Sequence, residues 1–179
     1  LFIAAETDYA AYINGKLAFF GSYKGYRDEK YYDELPLNDF LTEKENEIEI
    51  VVWYQGLNCS SSIDDGAGVI FEISSNGKIL AVSDENTLSR SDIRYKNGYK
   101  KSLTPQLGYS FLFDATKCGE MKPGLWHKSF ALARKVKFSP RPVKKSVVSA
   151  HPACRFSEKS ARNTVRNFLL TNGYRSGRV

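Results

Sequence analysis

Glu47-Ile48-Glu49-Ile50-Val51-Val52-Trp53-Tyr54 is the stretch from which the rest of the chain is best read. Side chains on a strand alternate between its two faces. Ile48, Ile50, Val52 and Tyr54 therefore share one face, assigned to a core. Glu47, Glu49, Val51 and Trp53 share the other, which begins wet and ends apolar, so that something must cover its far end. To either side, Tyr9 to Ile13 and Lys16 to Phe20 flank Asn14-Gly15, and Val69 to Ile73 and Ile79 to Val82 flank Asn76-Gly77. Asn and Gly tolerate the positive φ that two-residue hairpin turns demand, so both pairs read as hairpins. Asn97-Gly98 and Asn172-Gly173 repeat the signal. Leu1 to Glu6 reads as a strand already in progress.

Tyr109, Phe111 and Phe113 alternate with Ser110, Leu112 and Asp114, and Phe130, Leu132, Val136 and Phe138 alternate with Lys135 and Lys137. Counted together these give seven or eight strands and an all-β, antiparallel, jelly-roll-like sandwich. Helical signals are few. Leu37 to Leu41 is long enough for one turn. Ser157 to Leu170 reads as a helix capped by Ser157 and ended by Gly173, with Arg162 and Arg166 on one side. Pro140, Pro142 and Pro152 precede it. The expected division is a sandwich over 1–143 and a basic linker or tail over 144–179.

The 179 residues, 42% hydrophobic and 26% charged, suffice for one domain that buries roughly 70% of its unfolded surface without staples. No run of about 18 apolar residues occurs, which excludes a membrane-spanning helix. Net charge is +6, unevenly spread: residues 1–133 carry −5, and residues 134–179 carry twelve Lys/Arg against Glu158 alone. A basic tail can bind nucleic acid or an anionic surface, or dock on an acidic neighbour. The body carries no nucleic-acid motif, which favours docking. Cys59, Cys118 and Cys154 are too few and too far apart for a disulfide scaffold, and an odd thiol favours a reducing, cytoplasmic compartment.

Catalytic constellations are nearly absent. His127 and His151 have no companion at metal-ligand spacing. No nucleophile elbow, phosphate loop or dinucleotide fingerprint appears. Cys59 precedes Ser60, Ser61 and Ser62, but no base can be paired with it. Asp64-Asp65 and the acids at 28, 29, 33 and 34 lie in loops without the controlled separation a glycosidase pair requires. No cofactor is called for. Calcium, which takes loop oxygens, is the only metal these acids suggest, and solvated acidic loops are the favoured account of them. Aromatic residues are abundant, and six fall between Phe19 and Tyr32. A loop this rich in tyrosine suits a protein interface, packing against its own domain, or a sugar site.

The order of these motifs resembles the N-terminal β-sandwich, jelly-roll and galactose-binding-like, of bacterial α-L-rhamnosidase-like glycoside hydrolases. Tyr9 to Lys16 is similar to its "Y-x-x-Y-x-N-G-K" hairpin. Tyr31-Tyr32-Asp33-Glu34-Leu35 with Phe40-Leu41, then Glu45-Asn46 leading into Trp53, follow in the family's order. Ser83-Asp84-Glu85, Phe113-Asp114-Ala115, and Trp126 with Arg141-Pro142-Val143 complete the set, which covers residues 1–143. Lys44 stands where the family has glycine, Thr116 where it has arginine, and Leu88 near its missing tryptophan. The resemblance implies that a first strand precedes Leu1, which leaves Leu1 to Glu6 expected at an open sheet edge or paired with a substitute partner, the tail or another copy of the chain. It also implies that Lys44 adopts a turn usually made by glycine.

The resemblance further implies that the catalytic carboxylates belong to a helical barrel elsewhere in a parent enzyme. This chain alone is then a non-catalytic accessory sandwich packing on that enzyme, with rhamnose-containing glycans as a further partner. A self-standing carbohydrate-binding module is the alternative, and an anionic-surface binder acting through the tail is another. Carbohydrate contact is expected around Tyr26, Trp53, Tyr54, Gln55, Asn58, Asp64 and Asp65: rings for stacking, amides that donate and accept, and carboxylates for hydroxyls.

Overall fold

The computed structural model describes residues 1–60, 62–98, 108–120 and 126–145. The tail readings, including the 157–170 helix, Cys154, His151 and the Asn172-Gly173 turn, lie outside them. Leu1–Val143 forms one compact unit and Lys144–Val179 a second.

Among its described residues the first unit is all-β, with the exception of one 3-10 helix at Ala115–Glu120. Its longer strands are β1 (Phe2–Glu6), β2 (Asp8–Ile13), β3 (Lys16–Gly21), β4 (Glu29–Glu34), β5 (Ile48–Trp53), β6 (Gly68–Ser75) and β7 (Lys78–Val82). Four two-residue strands follow: β8 (Leu88–Ser89), β9 (Tyr95–Lys96), β10 (Leu112–Phe113) and β11 (His127–Lys128). β12 (Lys137–Pro140) closes the series. One sheet runs β12-β4-β1-β6-β7, another β3-β2-β5, and β9/β10 and β8/β11 form small ribbons.

Both hairpins form as their turns require. Asn14 and Gly15 hold φ of 51° and 74°, and Asn76 and Gly77 hold the same two values. Asn14 does more than turn the chain. Its amide donates to Phe40 O at 3.1 Å and Asn46 Oδ1 at 2.9 Å, and its side-chain oxygen accepts from Glu47 N at 3.0 Å. The Asn-Gly-Lys hairpin and the Glu-Asn motif ahead of β5 are thus two halves of one contact.

The same asparagine pair corrects the expectation for Lys44, which holds no positive φ. Asn46 closes that turn with its side chain, accepting from Thr42 N at 2.8 Å and donating to Lys44 O at 2.8 Å. A side chain that supplies turn hydrogen bonds relieves the backbone of the special conformation.

The two larger sheets meet on their inner faces. β5 pairs antiparallel with β2 so that Ile48, Ile50 and Val52 stand opposite Ile13, Ala11 and Tyr9. Tyr9, Ala11 and Ile13 are buried, and with Leu1, Ile3, Leu35 and Leu37 they form the core, against which Ile48, Ile50, Phe71 and Ile73 pack. Each fully buried isoleucine, Ile3 and Ile13, contributes about 1.5–3 kcal/mol of hydrophobic stabilisation.

Two expectations fail here, each for its own reason. β1 is not at an open edge: it pairs antiparallel with both β4 and β6 and lies in the middle of its sheet. The neighbour that fills the place beyond β4 is β12, which pairs with β4 in parallel, Lys137 opposite Glu29 through Pro140 opposite Tyr32. It is the one parallel pairing among the described strands. The alternating run from Phe130 to Phe138 forms a strand only from Lys137 onward. Ahead of it, Arg134 N donates to Leu132 O at 2.8 Å, a tight local turn that breaks extension, while the Arg134 side chain is drawn to Asp65.

Candidate functional site

The loop leaving β5 is held by its own polar side chains. The Tyr54 hydroxyl donates to the Asp64 carboxylate, and this bond holds the phenol above its ordinary titration range. Asp64 N donates to Asn58 Oδ1 at 2.7 Å, and the Asn97 amide donates to Tyr54 O. Gln55 is buried. Its backbone N–H donates to Thr7 Oγ1 at 3.2 Å and its amide reaches Leu57 O at 3.4 Å and Cys59 Sγ at 3.3 Å. Gly108, at φ +85°, leaves room for that amide, because a Cβ there would stand 3.0 Å from Gln55 Oε1.

Asp65 turns away from this group. Its side chain is 6% exposed and meets Arg27 Nε at 3.4 Å, Lys30 Nζ at 3.2 Å and the Arg134 guanidinium, while Lys30 also holds Glu6 at 2.6 Å. Burial alone would raise this carboxyl, but the Arg134 and Lys30 hydrogen bonds outweigh it and keep it below the usual carboxylate range. Three cations surround this carboxylate, and among the described residues no three His, Cys, Asp or Glu side chains converge for a metal. Arg134 also donates to Arg27 O at 3.1 Å, so the aromatic loop and the Asp64-Asp65 loop meet. Most of the tyrosine-rich loop packs internally: Tyr23 and Tyr31 lie edge-to-face at 5.1 Å and Tyr32 against Phe2 at 5.8 Å. Tyr26 stands out at 73% exposure.

Trp53 belongs to a different surface. Its ring meets Phe111 edge-to-face at 5.1 Å, Phe111 meets Tyr95 at 5.3 Å, and Tyr95 meets Phe113 at 5.0 Å. Phe111, Tyr95 and Phe113 are each two-fifths to one-half exposed. The β9/β10 ribbon thus extends the outer face of the three-stranded sheet into an aromatic platform. At its end Arg94 lies over Phe113 at 5.8 Å, fixed by two hydrogen bonds to Asp92 at 2.8 and 2.5 Å. Asp114, which precedes the 3-10 helix, caps it by accepting from Thr116 N at 3.1 Å and Thr116 Oγ1 at 2.5 Å, so the threonine found in place of arginine is bound into this turn.

Asp8 sits on that same outer face, directly across from Trp53 in the β2–β5 register. It is half-buried, and among the described residues its carboxylate has neither a hydrogen bond nor an ion pair. Burial raises its carboxyl, and the charge of Lys24 draws it partly back. Sequence reading passed over Asp8 because a polar residue alternating with Tyr9 and Ala11 is what an ordinary wet face looks like. It passed over Tyr95 because that ring reaches the platform only through the β9–β10 pairing. The alternation of Phe111 and Phe113 and the Asn97-Gly98 turn were the available signals.

The outer face of the five-stranded sheet is a second apolar surface. A shallow groove of about 280 Å³ is lined by Phe2, Tyr32, Ile70, Val82 and Phe138, with Glu72 among them. Ile70, Val82 and Phe138 are each more than two-fifths exposed, as are Ile79 and Leu80 on the edge strand β7.

No family model and no curated protein matches the chain. Among solved structures, it is similar to a GH78-family rhamnosidase of Bacillus sp. GL1, with a TM-score of 0.70 and 20% identity. The match covers 80% of this chain and 16% of the rhamnosidase. At that identity the likeness shows the fold, which is that of a part of such an enzyme. The chain spans about one-sixth of the length of the protein it matches.

Proposed function

We propose that this chain is a non-catalytic accessory β-sandwich of an α-L-rhamnosidase-like glycoside hydrolase, packing on the remainder of the enzyme. The observation that carries the reading is the fold match to a small part of a GH78 rhamnosidase. The apolar groove along Phe2, Tyr32, Ile70 and Phe138 supports it, since a free monomer rarely leaves so much of a sheet face apolar, and a covering domain would bury it. The catalytic carboxylates would come from elsewhere in the parent. Here three of the acids are committed to structure: Asp33 to Tyr9 and Arg141, Asp65 to three cations, Asp114 to its own turn.

The test has two parts. The purified chain should release no chromophore from a nitrophenyl α-L-rhamnoside. A product of the full reading frame that contains this segment should hydrolyse it, and should shield Phe2, Tyr32 and Phe138 from hydroxyl-radical labelling. Turnover by the chain alone that a carboxylate substitution within it abolishes would overturn the reading, as would a reading frame without a hydrolase.

A further inference from the structure

We propose that the outer face of β2 and β5, continued by the β9/β10 ribbon, is a binding site for a neutral saccharide: a sugar ring stacks on Trp53 and the exposed rings of Phe111 and Tyr95, and a hydroxyl donates to Asp8. Directly opposed residues of an antiparallel pair carry their Cβ atoms about 5 Å apart, so Asp8 and Trp53 present carboxylate and ring side by side. A half-buried carboxylate with no partner is costly, and the fold elsewhere takes care to avoid one, giving Asp33 an arginine and a tyrosine and Asp65 three cations. On an outward face the missing partner comes from outside the domain.

The surroundings narrow what that partner is. Lys24 acts on Asp8 through its charge but forms no ion pair with it, and Arg94 is engaged by both oxygens of Asp92. An anionic ligand would meet the like charge of the Asp8 carboxylate beside the rings, which favours a neutral one. Aromatic rings with half their area in water suit the C–H face of a pyranose, and a carboxylate suits its hydroxyls. Asn97, two residues on from Tyr95, uses its amide N–H on Tyr54 O, which leaves its side-chain oxygen as a second acceptor. The site differs from the loop expected from sequence: it keeps Trp53, adds Asp8, Tyr95 and Phe111, and leaves Gln55 and Asp65 in structural roles.

The choice of sugar rests on the accessory-domain reading, and the experiment separates the two. The full chain carrying Trp126→Phe, which leaves Trp53 as the sole tryptophan signal, is titrated with L-rhamnose, methyl α-L-rhamnoside and D-glucose. Fluorescence and backbone amide shifts are followed together. Binding in the millimolar range should saturate, move the amides of Asp8, Trp53, Tyr95 and Asn97, and weaken about tenfold in Asp8→Asn, as expected for loss of a charge-assisted hydrogen bond. Tyr95→Ser should weaken it as well, with an unchanged amide spectrum elsewhere. Binding should also fall on acidification as Asp8 takes up its proton. No saturable change up to about 100 mM of any of the three sugars overturns the site, since even weak monosaccharide sites fill by then. Binding untouched by Asp8→Asn, or shifts confined to the Phe2–Tyr32–Phe138 face, overturns it too. None of these outcomes bears on the accessory-domain reading, which stands or falls on turnover by the chain alone and on the hydrolase in its reading frame.

Discussion

The seam where β12 joins β4 and the outer face where β2 meets β5 both place a carboxylate among aromatic rings, and they treat it in opposite ways. At the seam, Asp33 is 3% exposed and takes a hydrogen bond from the Tyr9 hydroxyl at 2.5 Å and two from Arg141, one of them 3.1 Å from Nη2. Arg141 in turn lies over the Tyr23 ring at 5.5 Å, and its backbone N–H donates to Tyr32 O at 3.0 Å. On the outer face Asp8 has rings beside it and the charge of Lys24 to offset its own, but among the described residues no hydrogen bond and no ion pair. A satisfied buried carboxylate belongs to the architecture, whereas an unsatisfied one on a surface asks for something from solution.

The contrast is tested most severely by unmaking the seam. Asp33→Ala should cost about 3–5 kcal/mol, because it strands a buried guanidinium and a buried phenol hydroxyl. Urea denaturation should show a large drop in midpoint, with Arg141→Ala close behind. Burial and the bond to Asp33 push the Tyr9 phenol far above its ordinary range, so the ring should stay un-ionised through alkaline titration until the domain unfolds. A tyrosinate signal of normal titration from a folded chain would refute the burial of the pair.

A smaller loss, about 1–3 kcal/mol, is expected for Asp65→Asn, which disbands the contacts with Arg27, Lys30 and Arg134. The wild-type group is held below its unfolded value. Its stabilisation is therefore present above about pH 4 and lost as the pH falls through its lowered folded value. Stability measured from pH 6 down to pH 2 should fall less steeply in Asp65→Asn than in the wild type.

Asp8→Asn should reverse the sign, leaving stability unchanged or raising it by up to about 1 kcal/mol at neutral pH, since it removes a charge whose desolvation the Lys24 charge offsets only in part. For this carboxyl the folded value is raised, so the folded state takes up a proton more readily than the unfolded one. Asp8 therefore weighs against folding above its folded value and ceases to as the pH drops through it. The variant should lack that acid-side relief. A clear loss of stability in Asp8→Asn would mean the carboxylate is structural after all and would collapse the comparison. The smallest effect belongs to Tyr26→Ser, which should stay within about 0.5 kcal/mol because the ring touches solvent on most of its surface.

Much of the frame was legible in the sequence because its determinants are local. Asn14-Gly15 and Asn76-Gly77 sit within the hairpins they make, and the period of Ile48, Ile50 and Val52 names the core face without knowledge of the partner strand. Arg141-Pro142 was visible as a motif, but not its role, because Asp33 lies 108 residues away. The same distance hides the parallel pairing of β12, while the interior position of β1 depends on β4 and β6, each paired with it across a long stretch of chain. Of the expected contact residues, Trp53 could be placed on the outer face by alternation alone. Asp65 could not be assigned to its cations, since Arg134 stands 69 residues off and nothing near it in sequence announces the meeting.

The parallel closure of β12 on β4 has a bearing on the order of events during synthesis. The hairpins β2–β3 and β6–β7 join neighbours in the chain and can form as soon as they are made, whereas contacts of long sequence separation come late and slowly. Asp33 is translated early and must wait more than a hundred residues for its guanidinium. Until Arg141 clears the ribosome, the nascent sandwich carries a carboxylate beside β1 without its guanidinium and an uncovered flank on β4. That interval, set by translation speed and by no property of the finished fold, is when the domain is most open to strand exchange, to proteases and to chaperones.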